Sequence, residues 1–288
     1  MNSVIVKAPA KVNLFLQVLS KRRDSYHNIY TLFERISLAD VIKITKIPKG
    51  IVVKSNVFIT RNPKDNLVYK AAEAILKRGK VKSGVKIEIK KRIPIAAGLG
   101  GGSSDAASTL RGINTLFRPR LTYKTLINIG RSLGADIPFF MLDRSFAIGC
   151  GRGDVLKPVK SKTRLWHIVI NPPFKVATKE VYEAFDALSS ARPKCLTPRF
   201  DNVKMGKVEA MLYNDLEEAL VSKKRVIGSI IRSLEQLLGK KAIVSGSGPS
   251  LFCLYGTRRE AMRARDSVLR SMPASMRNGW QIFVAGTC

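Results

Sequence analysis

Residues 98–107 read GLGGGSSDAA, and this run limits what the chain can build more than any other. Its four glycines allow positive φ and let a ligand come close to the backbone. Leu110, Ile113 and Phe117 follow at helical spacing, so the run is the entrance to a helix. A helix entrance carries unpaired N–H groups and a partial positive charge, which makes it a ready phosphate site. Ser103 and Ser104 place hydroxyls there. The run is not a Walker A loop, because GxxxxGK[ST] occurs nowhere in the chain. Nor is it a Rossmann fingerprint: Ser103 stands at the third glycine position, and no first βα unit surrounds it.

The rest of the chain mixes both element types. Residues 4–7, 12–19, 33–47 and 51–59 read as strands, with APAK at 8–11 as a loop. Asp65 or Asn66 caps a helix that runs through Arg78, with Leu67, Ala71 and Ile75 on one face. VKIEIK at 85–90 alternates with period two and predicts a half-buried strand. A helix over 122–133 ends at Gly134, read as a left-handed cap. In the second half, strands are expected at 164–170, 242–246, 251–256 and 280–286, and helices at 179–188, 206–221, 223–238 and 258–271. The length of 288 residues favours two domains. The boundary is expected near GRGDVLKP at 151–158, giving 1–155 and 156–288.

Composition removes several classes. With 45 % hydrophobic and 25 % charged residues the chain is globular rather than disordered. Its longest apolar runs, such as LWHIVI at 165–170, fall far short of the ~20 residues a membrane span needs. Patterned sequence begins by Val4, which leaves no room for a targeting segment, so a cytoplasmic location is the expectation. Cys150, Cys195, Cys253 and Cys288 form no CxxC pair, and the histidines are His27 and His167 alone. No zinc site or disulfide framework follows, and no resident metal is expected. The formal charge of +30 suits a nucleic-acid binder, an enzyme of polyanionic substrates, or a plainly basic surface. The basic clusters at 21–23, 90–92, 223–225, 240–241 and 258–259 are scattered and lack interleaved aromatics. A solvated surface is therefore favoured, with no specific nucleic acid expected.

Three further segments gain meaning only in combination. APAKVN at 8–13 sets Lys11 and Asn13 on one face of a strand. GADIPFF at 134–140 holds Asp136 between a helix end and a proline. VSGSGPSLF at 244–252 is a small-residue loop between two strands. Alone, each is a surface lysine or a turn. Together with PIAAGLGGGSSDAA at 94–107, and in this order, they resemble the signature regions of the GHMP kinases. KRRDSYHNIYTLFERISLAD at 21–40, GRGDVL at 151–156 and NDLEEA at 214–219 narrow the resemblance. They look like the branch that phosphorylates 4-diphosphocytidyl-2-C-methyl-D-erythritol. One departure is Ser25, where that branch has Gly before Tyr-His.

The resemblance implies an α+β fold of two lobes. The N-terminal one is ribosomal-protein-like and the C-terminal one ferredoxin-like. It implies transfer of the γ-phosphate of ATP to the 2-hydroxyl of the substrate, a step of the non-mevalonate isoprenoid pathway, with Mg²⁺ carried by the nucleotide. By resemblance, Asp136 is the catalytic base and Lys11 its charged neighbour. Pro94, Ala96, Ala97, Gly98, Leu99, Gly100, Gly101, Gly102, Ser103 and Ser104 would wrap the phosphates, and Asn66 and Lys91 would hold the adenosine. The partner is a small molecule bearing a cytidine diphosphate. Its cytosine is expected between Tyr26 and Tyr182 with His27 reading the edge, while Asn13, Thr178, Gly246 and Ser247 contact the rest. Phe174 and Phe185 are the weaker candidates for stacking. His167, in an apolar strand, is expected to be packed. The chain is expected as a monomer or weak dimer, away from membranes. A related kinase, a basic RNA-binding protein and a nucleotide-binding pseudo-kinase are the competing readings.

Overall fold

The computed structural model describes residues 1–188, 198, 200, 203–274 and 277–288. They form two compact units. The first comprises Met1–Ala10, Ala39–Ile95 and Gly100–Asp143, and the second Lys11–Leu38, Ala96–Leu99 and Arg144–Cys288. Strands β1 (Ser3–Lys21) and β2 (His27–Ile47) give residues to both. The division thus differs from a single boundary at 155/156. The predicted loop at 8–11 is continuous strand within β1.

In the first unit, β3 (Ile51–Ser55) lies parallel to β4 (Gly84–Lys90), and β4 lies antiparallel to Val41–Ile47 of β2. The alternation read from β4 is real. Val85, Ile87 and Ile89 are buried, while Lys86 and Glu88 on the other face pair at 2.8 Å. Helix α1 (Leu67–Arg78) begins where Asn66 Oδ1 accepts from Val68 N at 2.9 Å, a side-chain N-cap. It buries Val68, Ala71, Ala72, Ile75 and Leu76. Helix α2 (Gly101–Phe117) lies close over β2: a Cβ at Gly112 would stand 2.4 Å from Ile44 Cδ1. Helix α3 (Tyr123–Leu133) does not end in a left-handed cap. Gly134 has φ −179, and the chain leaves extended into α4 (Ile137–Met141), a short helix with Pro138 in its first turn.

In the second unit, β1 and β2 are neighbours joined by the turn at 22–26. Ser25 takes φ +65 there, the left-handed conformation that glycine would adopt without strain. β5 (Phe146–Cys150) pairs with β2, and β6 (Val155–Val159) pairs with β5, so the expected crossing segment at 151–158 is a turn followed by a strand. A second sheet contains β7 (Trp166–Asn171), β9 (Ile243–Val244), β10 (Leu251–Tyr255) and β11 (Gln281–Gly286). Its order, β11-β7-β10-β9, is antiparallel at every described pairing. Counted along the chain this is 4-1-3-2, the split βαβ arrangement of ferredoxin-like folds. Helices α5 (Thr178–Leu188), α8 (Arg225–Leu238) and α9 (Arg258–Ser271) fall close to their predicted spans. The predicted helix at 206–221 is broken instead into α6 (Met205–Ala210), β8 (Tyr213–Asn214) and α7 (Leu216–Lys223). The break is tertiary. Tyr213 and Asn214 pair in parallel with Phe15 and Leu16 of β1, and Asp215 Oδ2 accepts from Val18 N at 2.7 Å.

Among the described residues no helix is long and apolar enough to cross a membrane. Cys150, Cys253 and Cys288 are free thiols, and Cys195 lies outside the described residues.

Candidate active site

In the second unit, β1 turns Lys11 and Asn13 to one buried face, 4 % and 1 % exposed. Lys11 Nζ donates to Asn13 Oδ1. Asn13 Nδ2 donates to Thr31 Oγ1 at 2.8 Å, and Thr31 donates to Phe15 O at 2.6 Å. The relay fixes which way the Asn13 amide points. The ammonium also stands 5.7 Å from the centre of the Phe33 ring. Two backbone loops close on this pair. Lys11 N donates to Leu99 O at 3.0 Å, and Ser250 N to Ala97 O at 3.3 Å. A Cβ at Gly98, whose φ is +75, would fall 2.0 Å from Ser245 O. One at Gly246 would stand 3.1 Å from Lys11 Nζ and 3.3 Å from Asn13 Oδ1. Asn214 Nδ2 donates to Val244 O at 2.7 Å and Gly246 O at 2.8 Å, which is why the helix breaks where it does. Ser247 shares a hydrogen bond of 2.9 Å with Thr178. Lys11, Asn13, Gly98, Leu99, Gly246, Ser247 and Thr178 are thus linked by contacts. Ala96 is exposed beside them with φ +55.

A second group in the same unit forms around His27. Its ring stacks on Tyr182, with centroids 4.8 Å apart and planes at 24°. Phe185 meets it edge-on at 6.4 Å, and Phe174 packs into the apolar cluster beneath. Nε2 lies 2.8 Å from Asp186 Oδ1, while Lys21 Nζ holds the other oxygen at 2.7 Å. Tyr26 is not part of this stack. It is 54 % exposed, and the Arg152 guanidinium lies 5.1 Å from its ring. Sequence reasoning missed Asp186, which lies 159 positions from its partner with no local signature. His167 is packed as expected: Nε2 is 2.9 Å from Glu34 Oε2, with both side chains fully buried, and Thr287 Oγ1 donates to Glu34 Oε1 at 2.6 Å.

In the first unit, Gly100 turns the chain with φ +68 and Gly101 opens α2. A Cβ at Gly101 would meet Ile93 Cγ2 at 2.9 Å and Lys91 Nζ at 3.3 Å, so packing alone requires glycine. Gly102 is different. It is exposed, and a Cβ there would have its nearest contact at 3.8 Å. Nothing among the described residues demands glycine at that place, and glycine costs a helix about 1 kcal/mol relative to alanine. Ser103 is half-buried. Ser104 is fully buried, and its hydroxyl has no partner among the described residues. Pro94 is buried as well, as is Ala97 in the second unit.

The two residues expected at the adenosine have structural partners. Asn66 caps α1. Lys91 Nζ is held between Asp40 Oδ2 and Asp105 Oδ2, the latter at 2.8 Å, with all three side chains at 5 % exposure or less. Asp40 Oδ1 also accepts from Arg92 N and from Ile93 N at 2.9 Å. Burial pushes the Asp105 carboxyl up to about 7. Lys91 pulls against the shift and Asp40 adds to it. Burial works against the charge on Lys91, and the two carboxylates outweigh it and raise its pKa. Asp136 is half-buried at the start of α4, and its carboxylate makes no capping bond there.

Two family models match the chain: GHMP kinases N terminal domain over 66–144 and GHMP kinases C terminal over 198–274. The 4-diphosphocytidyl-2-C-methyl-D-erythritol kinase of Geobacter metallireducens is 38 % identical over 272 residues, 94 % of this chain and 96 % of that one. The chain belongs to this family of GHMP kinases. The kinase of the same name from Geobacter sulfurreducens is 40 % identical over 268 residues, 92 % and 95 % of the two chains. This family's members are ATP-dependent small-molecule kinases, and the chain is an enzyme of that class. A crystal structure of 4-(cytidine 5'-diphospho)-2C-methyl-D-erythritol kinase matches with a TM-score of 0.78 and 31 % identity, covering 99 % of this chain and 100 % of that one. A homoserine kinase from Cytophaga hutchinsonii matches at 0.74 with 18 % identity over 99 % and 95 %, a likeness of fold alone.

Proposed function

We propose that the enzyme phosphorylates the 2-hydroxyl of 4-diphosphocytidyl-2-C-methyl-D-erythritol with ATP, releasing ADP, as a step of isoprenoid precursor synthesis in the cytoplasm. The observation that carries this reading is the fixed Lys11–Asn13–Thr31 relay with the Gly98 and Gly246 backbones closed on it. A buried ammonium held in one orientation is a device for stabilising charge that develops on oxygen. Asp136 serves as the base. An alcohol is a poor nucleophile, and a carboxylate that no cap bond occupies can take its proton as the bond to phosphorus forms. Lys11 supplies positive charge to the hydroxyl and phosphoryl oxygens, and positioning provides most of the rate.

The start of α2 fits the nucleotide. Its first N–H groups lack partners within the helix, and the exposed backbone at Gly102 leaves room for a ligand that a side chain would obstruct. The magnesium ion is proposed to arrive on the nucleotide, where it neutralises the β- and γ-phosphates. Among the described residues no three His, Cys, Asp or Glu side chains gather as a cage for a metal. Tyr182, stacked on the buried His27 ring, supplies aromatic surface for the cytosine.

The test is an ADP-release assay with ATP, Mg²⁺ and one acceptor at a time: the cytidyl substrate, mevalonate or homoserine. Turnover is expected with the cytidyl substrate alone, and Asp136→Asn should lower kcat by at least about 100-fold. Turnover with mevalonate or homoserine and none with the cytidyl substrate overturns the assignment. Turnover that survives in Asp136→Asn removes Asp136 as the base.

A further inference from the structure

One end of the β5–β6 hairpin gathers positive charge. The antiparallel register sets Phe146 against Val159. The residues before the one and after the other therefore leave the sheet side by side. Arg144 stands in the first stretch, and Lys160, Ser161, Lys162 and Thr163 form the second. Together with Lys204 they line an open cleft of about 870 Å³ in the second unit. That volume is in the range of a small-molecule site.

The backbone around the cleft is tied down. Val159 and Leu165, at the two ends of the stretch, are buried. Leu165 N donates to Thr287 Oγ1 at 2.7 Å, and Thr287 N donates to Leu165 O at 2.9 Å. Between these ends, Ser161 Oγ donates to Val203 O at 3.0 Å, and Thr163 Oγ1 donates to the same oxygen. Thr163 N donates to Ser161 Oγ at 3.0 Å. Val203 is fully buried, so the stretch is pinned at its middle to the residue before Lys204. Lys160, Lys162 and Lys204 thus stand on backbone that is in place before a ligand arrives, which lowers the cost of binding one.

The charge in the cleft is of one sign. Arg144, Lys160, Lys162 and Lys204 are exposed, and no acidic side chain is among the described residues that line it. Cations crowded in a concavity repel one another and focus a positive potential there. An anion relieves that repulsion, and one with several charges relieves more of it. Lysine binds phosphoryl oxygens as a point charge, and a guanidinium adds a planar fork of donors. No aromatic ring is among the described lining residues. A nucleobase has nothing to stack on, and single-stranded nucleic acid binds through such platforms. The chemistry fits a chain of phosphoryl groups without a ring.

We propose that this cleft, which shares no residue with the candidate active site, is a second anion site that takes a linear oligophosphate of two or more phosphoryl groups, free or as an alkyl ester. It gives part of the net charge of +30 a specific ligand, and it does not depend on the substrate reading above.

The experiment uses the full chain, with the active site filled by Mg²⁺ and a non-hydrolysable ATP analogue. Calorimetric titrations are run with tripolyphosphate, a short alkyl diphosphate, orthophosphate and a short single-stranded RNA. Wild type should bind at least one of the two oligophosphates about tenfold or more tighter than orthophosphate. Binding of tripolyphosphate alone marks the free chain as the ligand, and binding of the alkyl diphosphate alone marks the ester. Lys162→Gln combined with Lys204→Gln should weaken that binding by about tenfold or more, while Lys162→Arg combined with Lys204→Arg should keep it. Lys223→Gln combined with Lys224→Gln removes the same charge from another exposed stretch of the second unit and should leave the affinity within about twofold. All these variants change exposed side chains and should keep the wild-type melting temperature and kinase activity. No binding beyond the filled active site overturns the proposal, as does binding no tighter for either oligophosphate than for orthophosphate. An equal loss in the two Gln pairs overturns it too, because net charge alone would then account for the binding. RNA that binds more tightly than both oligophosphates, and is lost with Lys162→Gln and Lys204→Gln, overturns the ligand class.

Discussion

Asp105→Asn should stabilise the protein at pH 8 and do so by about a third as much at pH 5. One ammonium, Lys91, stands between two buried carboxylates and can neutralise one. Asp40 is the better held, since its second oxygen takes the N–H groups of Arg92 and Ile93. The second oxygen of Asp105 has no partner among the described residues. Asp105 is therefore the member that keeps a proton, and burial pushes its carboxyl up to about 7 from 3.8. The folded protein binds this proton more tightly than the unfolded chain does. The corresponding stability is fully present below about pH 4 and is lost as pH rises through about 7. Roughly three pH units at about 1.4 kcal/mol each set a ceiling near 4 kcal/mol. Relaxation and water reaching the charge return part of it, so a gain of about 1–3 kcal/mol is expected from Asn at pH 8. At pH 5 the folded protein still holds the proton but the unfolded chain has released it, so about a third of the loss has already accrued and the gain should be correspondingly smaller, about 0.3–1 kcal/mol. Urea unfolding at pH 5, 6.5 and 8, with the m-values compared, reads the difference. An Asn variant less stable than wild type at pH 8, or displaced equally at all three pH values, would refute the shared-proton account.

Ser25→Gly should raise stability by about 1 kcal/mol by relieving the left-handed backbone at φ +65; a melting temperature that falls in this variant counts against it. Gly98→Ala should be severe, because its Cβ meets Ser245 O at 2.0 Å and its φ is +75. The expected loss is more than about 2 kcal/mol, with poor recovery of folded protein. Gly102→Ala should add up to about 1 kcal/mol of helix stability while weakening ATP by about tenfold or more, read by thermal shift and nucleotide titration. Unchanged ATP affinity there would remove Gly102 from the nucleotide site. His167→Ala removes the fully buried ring that faces Glu34 at 2.9 Å and should cost about 3–5 kcal/mol; a loss below about 1 kcal/mol on denaturant unfolding would mean that this contact does not hold the fold.

Elements that declare themselves over a few residues were legible in the sequence. Asn66 before an apolar helical stripe marked α1, and period two marked β4. The ordered strands and helix of the last third held as a ferredoxin-like sheet because each carries its own pattern. What failed was decided by distant partners. Residues 206–221 have helical spacing, yet Tyr213 and Asn214 pair with β1 and Asn214 holds the carbonyls of Val244 and Gly246. Gly134 has the composition of a left-handed cap, but Pro138 and the second short helix draw the chain out extended. β5 and β6 are five residues each and contain Gly or Pro, too short and too mixed to stand out from turns.

The same distinction runs through the site. Lys11 and Asn13 could be paired from sequence because a strand repeats its faces every two residues. Asp40, Lys91 and Asp105 could not, since their separations of 51 and 14 positions follow no local period. No local pattern joins the three, and the structure alone shows that the Lys91 ammonium is held by two carboxylates. The glycine run shows the limit from the other side. Sequence treats Gly98, Gly101 and Gly102 as one phosphate loop. The structure separates them by what a methyl group would meet: a carbonyl oxygen at 2.0 Å, the Ile93 side chain at 2.9 Å, and ordinary contact at 3.8 Å. The first two glycines are required by the protein's own packing. Only the third is left for a ligand to explain, so glycine at 102 is stronger evidence for a nucleotide than the count of glycines around it.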